Sequence, residues 1–287
     1  MRLRALRGTI GAQVCELDLR NPAAMTAGDV EALRACWDDR HLLIVPGREM
    51  AGETLSGEQQ LAFVGRFGRL LSEGRPWGYV SNSRPDGVVR EGAQLFHADY
   101  AFTPSPIDGI SLHAIEMPEN GCPTLFADAC AAVDRLSDEL RVRLAELQVL
   151  NCYDFRQIGD EHVNEADLLP GMPRHTHPVI GPHPRTGQPV IFANQQQSDH
   201  LIGVEPEAGA ALLRELFDVL YDPAHVYEHR WQPGDLLLWD NIALHHGRVP
   251  PPMDAARTLQ RVTLGAYTPS ELVPNLEQLL ADARAAS

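Results

Sequence analysis

Residues 231–249 read WQPGDLLLWDNIALHHGRV. Pro233-Gly234-Asp235 has the composition of a tight turn, and the apolar run Leu236–Trp239 that follows reads as a strand buried in a core. Asp240 and Asn241 then form a polar turn, and two histidines, His245 and His246, stand beyond it. The next segment, RTLQRVTLGAY from Arg257, supplies the other side of this late unit. If it is extended, Arg257, Leu259, Arg261 and Thr263 share one face.

Working outward, the same strand signals recur at HLLIVPG, QLFHADYAF, GISLHAIEM, GCPTLFAD and PVIFAN. Helical signals lie between them. Thr26 with Asp29 caps a helix carrying Val30, Leu33 and Trp37, and residues 58–67 place Leu61, Val64 and Phe67 on one stripe before Gly68. Residues 137–150 form a helix by the spacing of Leu140, Leu144 and Leu147, and residues 206–220 by that of Leu213, Leu216 and Leu220. Residues 70–93 read as irregular. The stretch 154–175, acidic and rich in Gly, Pro and His without a period, is the candidate for a segment covering an active site. No repeat and no linker divides the chain, so one β-centred domain over residues 1–287, decorated by helices, is expected.

The 287 residues are 44% hydrophobic and 22% charged, as in an ordinary soluble domain that buries a sizeable core. A net charge of -15 without a basic patch argues against nucleic acid or an anionic membrane as partner. No apolar run reaches membrane-spanning length and the first residues lack a signal-peptide core, so a cytoplasmic enzyme is expected. The five cysteines form no CxxC pair and read as small buried apolar residues.

His97 and Asp99 are two apart, which on a strand puts both side chains on one face. Two imidazoles and one carboxylate suit a mononuclear Fe(II) with open positions for O₂ and a co-substrate. Spacing alone leaves the third donor open between His246 and neighbouring His245, with His113, His175, His177 and His200 as further competitors.

With HxD at 97–99 followed by the late WxxGDxxxWDNxxxxH pattern, the sequence resembles the taurine dioxygenase and 2,4-dichlorophenoxyacetate dioxygenase family along most of its length. GAQVCELDL, HPVIGPHPRTGQPVIFAN and RTLQR fall in the family order as well. The resemblance implies a mainly β chain with flanking helices, folded as a double-stranded β-helix, or cupin-like jelly-roll. It implies Fe(II) held by His97, Asp99 and His246, and 2-oxoglutarate held at its far carboxylate by Arg257 and Thr124. The reaction implied is hydroxylation or oxidative C–heteroatom cleavage of a small anionic substrate, with release of succinate and CO₂.

On the substrate side the resemblance points to Phe102, Arg261 and Gln94. Arg261, four residues after Arg257 and about 13 Å away along a strand, would read a carboxylate, sulfonate or phosphonate. Asp240, Asn241 and Trp239 would shape the approach to the iron, and His245 would pack beside it. The stretch FGRLLSEGRPWGY lacks the histidine with which the taurine enzymes read their sulfonate, so taurine is disfavoured. Rival readings are desaturation, tailoring of a free or carrier-bound biosynthetic intermediate, and a non-catalytic acid- or protein-binding domain. Homo-oligomers are left open.

Overall fold

The structure is a computed structural model that describes residues 1–50, 54–71, 75–88, 92–118, 122–156, 161–250 and 256–286. The anticipated central strand spans Leu236–Asp240 and every residue in it is buried. It pairs antiparallel with Leu42–Val45 on one side and with Gly109–Glu116 on the other. Nothing on this strand reaches water, which is why it reads as a continuous apolar run instead of an alternating one.

Gly109–Glu116 pairs in turn with Thr258–Leu264, and that strand with Gly78–Ser81. With Arg2–Ala5, Ala12–Cys15, Leu70–Leu71 and Gly87–Val88 these make a nine-stranded sheet. A four-stranded sheet is ordered Tyr227–His229, Thr124–Asp128, Leu244–Arg248, Gln94–His97. A three-stranded sheet (Arg174–Pro178, Gln148–Cys152, Ser198–Leu201) and a two-stranded ribbon (Ile180–Pro182, Pro189–Ile191) complete the pairing.

This corrects the expected double-stranded β-helix. Among the described residues the strands form four mostly open sheets, the nine-stranded one mixed and the other three antiparallel, with no closed or curled barrel. The two larger sheets meet through side chains and not through a shared hydrogen-bond ladder. Ile110, Leu112, Leu237, Trp239 and Leu259 of the first share one core with Phe126 and Leu244 of the second. The Phe126 and Trp239 rings meet edge to face at 5.4 Å.

Helices cover this core where the patterning places them. Ala27–Arg40 begins at the Thr26/Asp29 capping box and buries Leu33 and Trp37. Pro206–Leu220 buries Leu212, Leu213, Leu216 and Leu220 against a second core around Ala127, Leu140 and Val149.

Three local expectations are revised. The helix expected to Leu150 ends at Leu144, because residues 148–152 are drawn into a strand between two partners. The helix expected over 58–67 runs Gly57–Val64. Within the nominally irregular 70–93, three short strands pair onto or beside Thr258–Leu264.

One buried histidine ties distant segments together. His113 Nε2 accepts from Leu55 N at 2.9 Å, which fixes that nitrogen as unprotonated. Burial lowers the His113 pKa to about 4 and the His177 pKa likewise to about 4. Unfolded histidines titrate near 6.5. Between those values the unfolded chain takes up protons that the fold refuses, so stability falls as pH drops from about 6.5 to about 4. Thermal unfolding followed across that window is expected to show a falling midpoint, with a shallower fall in His113→Gln.

Candidate active site

Between the two larger sheets lies a cavity of about 270 Å³. The four-stranded sheet contributes Gln94, His97, Thr124, His246 and Arg248; the nine-stranded sheet contributes Val80, Val88, Ile110, Leu112, Trp239 and Arg261. Asp99, Arg257, Gln196, Gln197 and an aromatic wall of Tyr100, Phe102, Tyr153 and Phe155 also line it.

His97 and His246 are register partners on adjacent strands, with ring centroids 4.3 Å apart. Asp99 Oδ1 lies 3.3 Å from His97 Nε2 and 3.8 Å from His246 Nε2. Residues 149 apart in sequence, His97 and His246, are thus brought to one carboxylate oxygen by strand pairing. His245, next in the chain, points away. Its Nδ1 pairs with Tyr221 hydroxyl at 2.8 Å, and the Tyr221 ring stacks on Phe96.

The donor set fits a divalent metal. His97 Nδ1 is hydrogen-bonded to Leu95 O at 2.8 Å, an interaction that requires the proton on Nδ1 and leaves Nε2 as a lone-pair donor facing Asp99. Burial, then the nearby His97, pushes the His246 pKa far below its ordinary value, so that imidazole is neutral and ligand-ready. Burial works to raise the Asp99 pKa. The Arg261 guanidinium, the largest influence in the other direction, outweighs it and holds the carboxyl well below the usual range. Arg261 Nη2 donates to Asp99 Oδ2 at 2.5 Å, leaving Oδ1 toward the imidazoles. Two other groups with metal-ligand chemistry occur among the described residues, His41/Asp128/Cys130 and Glu165/Asp199/His200. Neither borders this cavity.

The turn after the central strand carries the site. Asn241, fully buried, accepts from Asp99 N at 2.8 Å and donates to Asp99 O and Ile107 O at 3.0 and 2.9 Å. Asp240 Oδ1 accepts from Ile242 N and Ala243 N, and its carboxylate is closed from outside by His183 and Arg185. Trp239 presents an aromatic edge to His246, centroids 5.1 Å apart.

Arg257 is 3% exposed, and its Nε has no hydrogen-bond partner among the described residues. Burial lowers its pKa to about 10, which still leaves a full positive charge at neutral pH. Asp254, an alternative partner by proximity in sequence, lies outside the described residues. Thr124 is buried on the same wall, with its hydroxyl accepting from Trp231 Nε1 at 3.0 Å. A buried guanidinium with no carboxylate partner among the described residues, on the same cavity wall as a hydroxyl, suits one end of a dicarboxylate. Phe102 is 4% exposed and stacks on Tyr153 at 4.8 Å, so it belongs both to the cavity wall and to a small core with Met172 and Leu276.

Sequence reasoning missed several wall residues, Tyr153, Phe155, Gln196 and Arg248 among them. Tyr153 and Phe155 lie at the edge of the suspected covering segment, of which 157–160 are outside the described residues. Gln196 comes from a loop with no pattern to read. Arg248 had a legible signal: it follows His246 by two on the same strand.

Comparison with known proteins identifies the family. The model of the taurine catabolism dioxygenase TauD, TfdA family matches residues 2–263. An (S)-phenoxypropionate/alpha-ketoglutarate-dioxygenase from Sphingobium herbicidovorans is 32% identical, covering 83% of this chain and 87% of its own. An alpha-ketoglutarate-dependent 2,4-dichlorophenoxyacetate dioxygenase from Cupriavidus pinatubonensis is 31% identical, with 90% and 95% covered. Among solved structures, AAD-2 in complex with Mn(II) and N-oxalylglycine superimposes with a TM-score of 0.76 at 25% identity, over 93% of this chain and 98% of that one.

The protein is therefore an Fe(II)- and 2-oxoglutarate-dependent dioxygenase. The chain belongs to the TauD, TfdA family. Among the described residues no helix is long and apolar enough to cross a membrane.

Because Asn241 satisfies buried groups on both sides of Asp99, removing it leaves several unpaired. Asn241→Ala is expected to cost about 3 kcal/mol or more in urea denaturation of the apoprotein, and to weaken Fe(II) binding in the variant that remains folded. Unchanged Fe(II) affinity would show that the Asp99 main chain holds its place unaided.

Proposed function

We propose that His97, Asp99 and His246 hold the Fe(II), that Arg257 and Thr124 hold the far carboxylate of 2-oxoglutarate, and that the prime substrate is an organic acid with an apolar, aromatic-sized body. The observation that carries this reading is the division of one cavity into three chemically distinct walls: the donor triad, the buried Arg257/Thr124 end, and the cluster Tyr100, Phe102, Tyr153 and Phe155. Fe(II) with 2-oxoglutarate and O₂ supplies the oxidising power, the 2-oxo acid leaving as succinate and CO₂.

The chain's own residues bind, orient and exclude water. Arg261 fronts the cavity while it steadies Asp99, so it sets the carboxylate's orientation and offers positive charge to an incoming anion. Gln94, half-buried at the cavity edge, adds a polar contact. The aromatic wall favours a planar, weakly polar body and removes it from water, a gain of about 25 cal/mol per Å² buried. Phe155, Leu168 and Met172, from the stretch read as a covering segment, pack around Phe102 on this side. We take residues 1–287 as one catalytic domain.

This reading favours aryloxy carboxylates over taurine, in line with the names of the relatives above and with the small apolar walls. Hydroxylation of the carbon bearing the ether oxygen gives a hemiketal or hemiacetal that collapses to a phenol and a 2-oxo acid or aldehyde acid. In an O₂-consumption screen, phenoxypropionate enantiomers and 2,4-dichlorophenoxyacetate are expected to outpace taurine, with phenol released in step with succinate. Equal or faster turnover of taurine would remove the aromatic-body assignment. A product two hydrogens lighter than its substrate would mark desaturation instead.

Single substitutions separate the walls. His97→Ala or Asp99→Ala is expected to abolish the visible band that forms when Fe(II) and 2-oxoglutarate are added without O₂. Arg257→Ala is expected to raise the KM for 2-oxoglutarate by about tenfold to a hundredfold, the range for a lost charged hydrogen bond. Arg261→Ala is expected to penalise acidic substrates more than their amides; equal losses for both would count against charge reading.

A further inference from the structure

The end of the cavity at Thr124 holds a second buried arginine. Arg248 ends the strand Leu244–Arg248, two residues beyond His246, and the period of a strand puts both side chains on one face. The register on the flanking strand is regular here: His246 faces Phe126 and Arg248 faces Thr124 directly. On the other flank Arg248 is paired with Gln94 across a bulge. Directly opposed residues bring their Cβ atoms to about 5 Å, so the Arg248 side chain leaves the sheet beside the Thr124 hydroxyl.

Arg248 is 5% exposed and lines the same cavity as Arg257 and Thr124. Its guanidinium is anchored, since Nε and Nη2 both donate to Gly92 O, at 3.2 and 2.8 Å. That clamp fixes the plane of the group and orders a long side chain before any ligand arrives. Two buried guanidinium groups close to one another repel, and an anion placed between them relieves the repulsion and gains charge-assisted hydrogen bonds from both. Ordinary clipping of a loop needs neither the second cation nor its position opposite Thr124.

We propose that Arg248 is a second reader of the far carboxylate of the 2-oxo acid, acting with Arg257 and Thr124 to select dicarboxylic over monocarboxylic 2-oxo acids. The inference rests on the reading that Arg257 and Thr124 hold that carboxylate. Its role is in binding the co-substrate and leaves the triad untouched.

The test is an anaerobic titration of the Fe(II)-loaded full chain, read by the visible band, with 2-oxoglutarate and with 2-oxobutyrate, which lacks the far carboxylate. Arg248→Gln keeps a donor for Gly92 O and removes the charge. It is expected to weaken 2-oxoglutarate about tenfold or more while 2-oxobutyrate changes less than about threefold, and Arg248→Lys is expected to fall between the two. Equal losses for both acids, or no loss for either, would overturn the proposal. If Arg248→Gln does not fold, as judged by circular dichroism, Arg248→Lys decides: a several-fold loss confined to 2-oxoglutarate supports it, because an ammonium lacks the planar fork, and unchanged affinity refutes it. Arg257→Gln run in parallel separates the two readings. Selective loss there without selective loss at Arg248 sinks only this inference, whereas no selective loss at Arg257 removes Arg257 from the co-substrate end.

Discussion

The site depends on one buried amide. Asn241 stands at the end of the central strand and grips the main chain of Asp99 from both directions, while a third hydrogen bond anchors it to Ile107. The proposed donors come from chain segments that fold far apart in sequence, and the strands bearing His97 and His246 are joined by their own pairing. Asp99 lies just past the end of its strand, where no ladder can hold it. Asn241 takes over that task, and with no exposed surface its hydrogen bonds are not weakened by competing water. The neighbouring Asp240 is spent on the turn itself, which is why two adjacent polar residues follow the buried apolar run Leu236–Trp239.

Charge is organised with the same economy. The chain carries fifteen more acidic than basic side chains, yet three arginines line the one cavity that the triad borders. Arg261 is balanced against Asp99. Arg257 and Arg248 occupy the opposite end, and their burial removes the water that would otherwise screen them. On the proposed reading a dianionic 2-oxo acid would meet a field already in place, and an apolar body would meet aromatic rings already packed on one another. Preorganisation of this kind moves the cost of ordering from binding to folding.

Strands and helices were readable where their pattern is local. The capping box at Thr26 and Asp29, the leucines of Pro206–Leu220 and the apolar Leu236–Trp239 each satisfy their requirements within a few neighbouring residues. The helix read through Leu150 failed because residues 148–152 satisfy their backbone groups with two strands that lie elsewhere in the chain. The expected jelly-roll failed for a related reason. Which edges pair, and whether a sheet closes, is decided by hydrogen-bond partners that have no imprint on the alternation of any one strand.

The late WDN segment and HxD pair marked the candidate triad in the sequence, because the chemistry of a metal needs those residue types and a strand period puts two of them on one face. The resemblance chose His246 over His245. The physical ground for that choice is visible only in the fold, where His245 faces Tyr221 and His246 faces Asp99. Arg248 shows the remaining limit. Its spacing from His246 was in the sequence, but an arginine on a strand is ordinarily a surface residue. Only the packing of two sheets around it turned that position into the inner wall of a cavity.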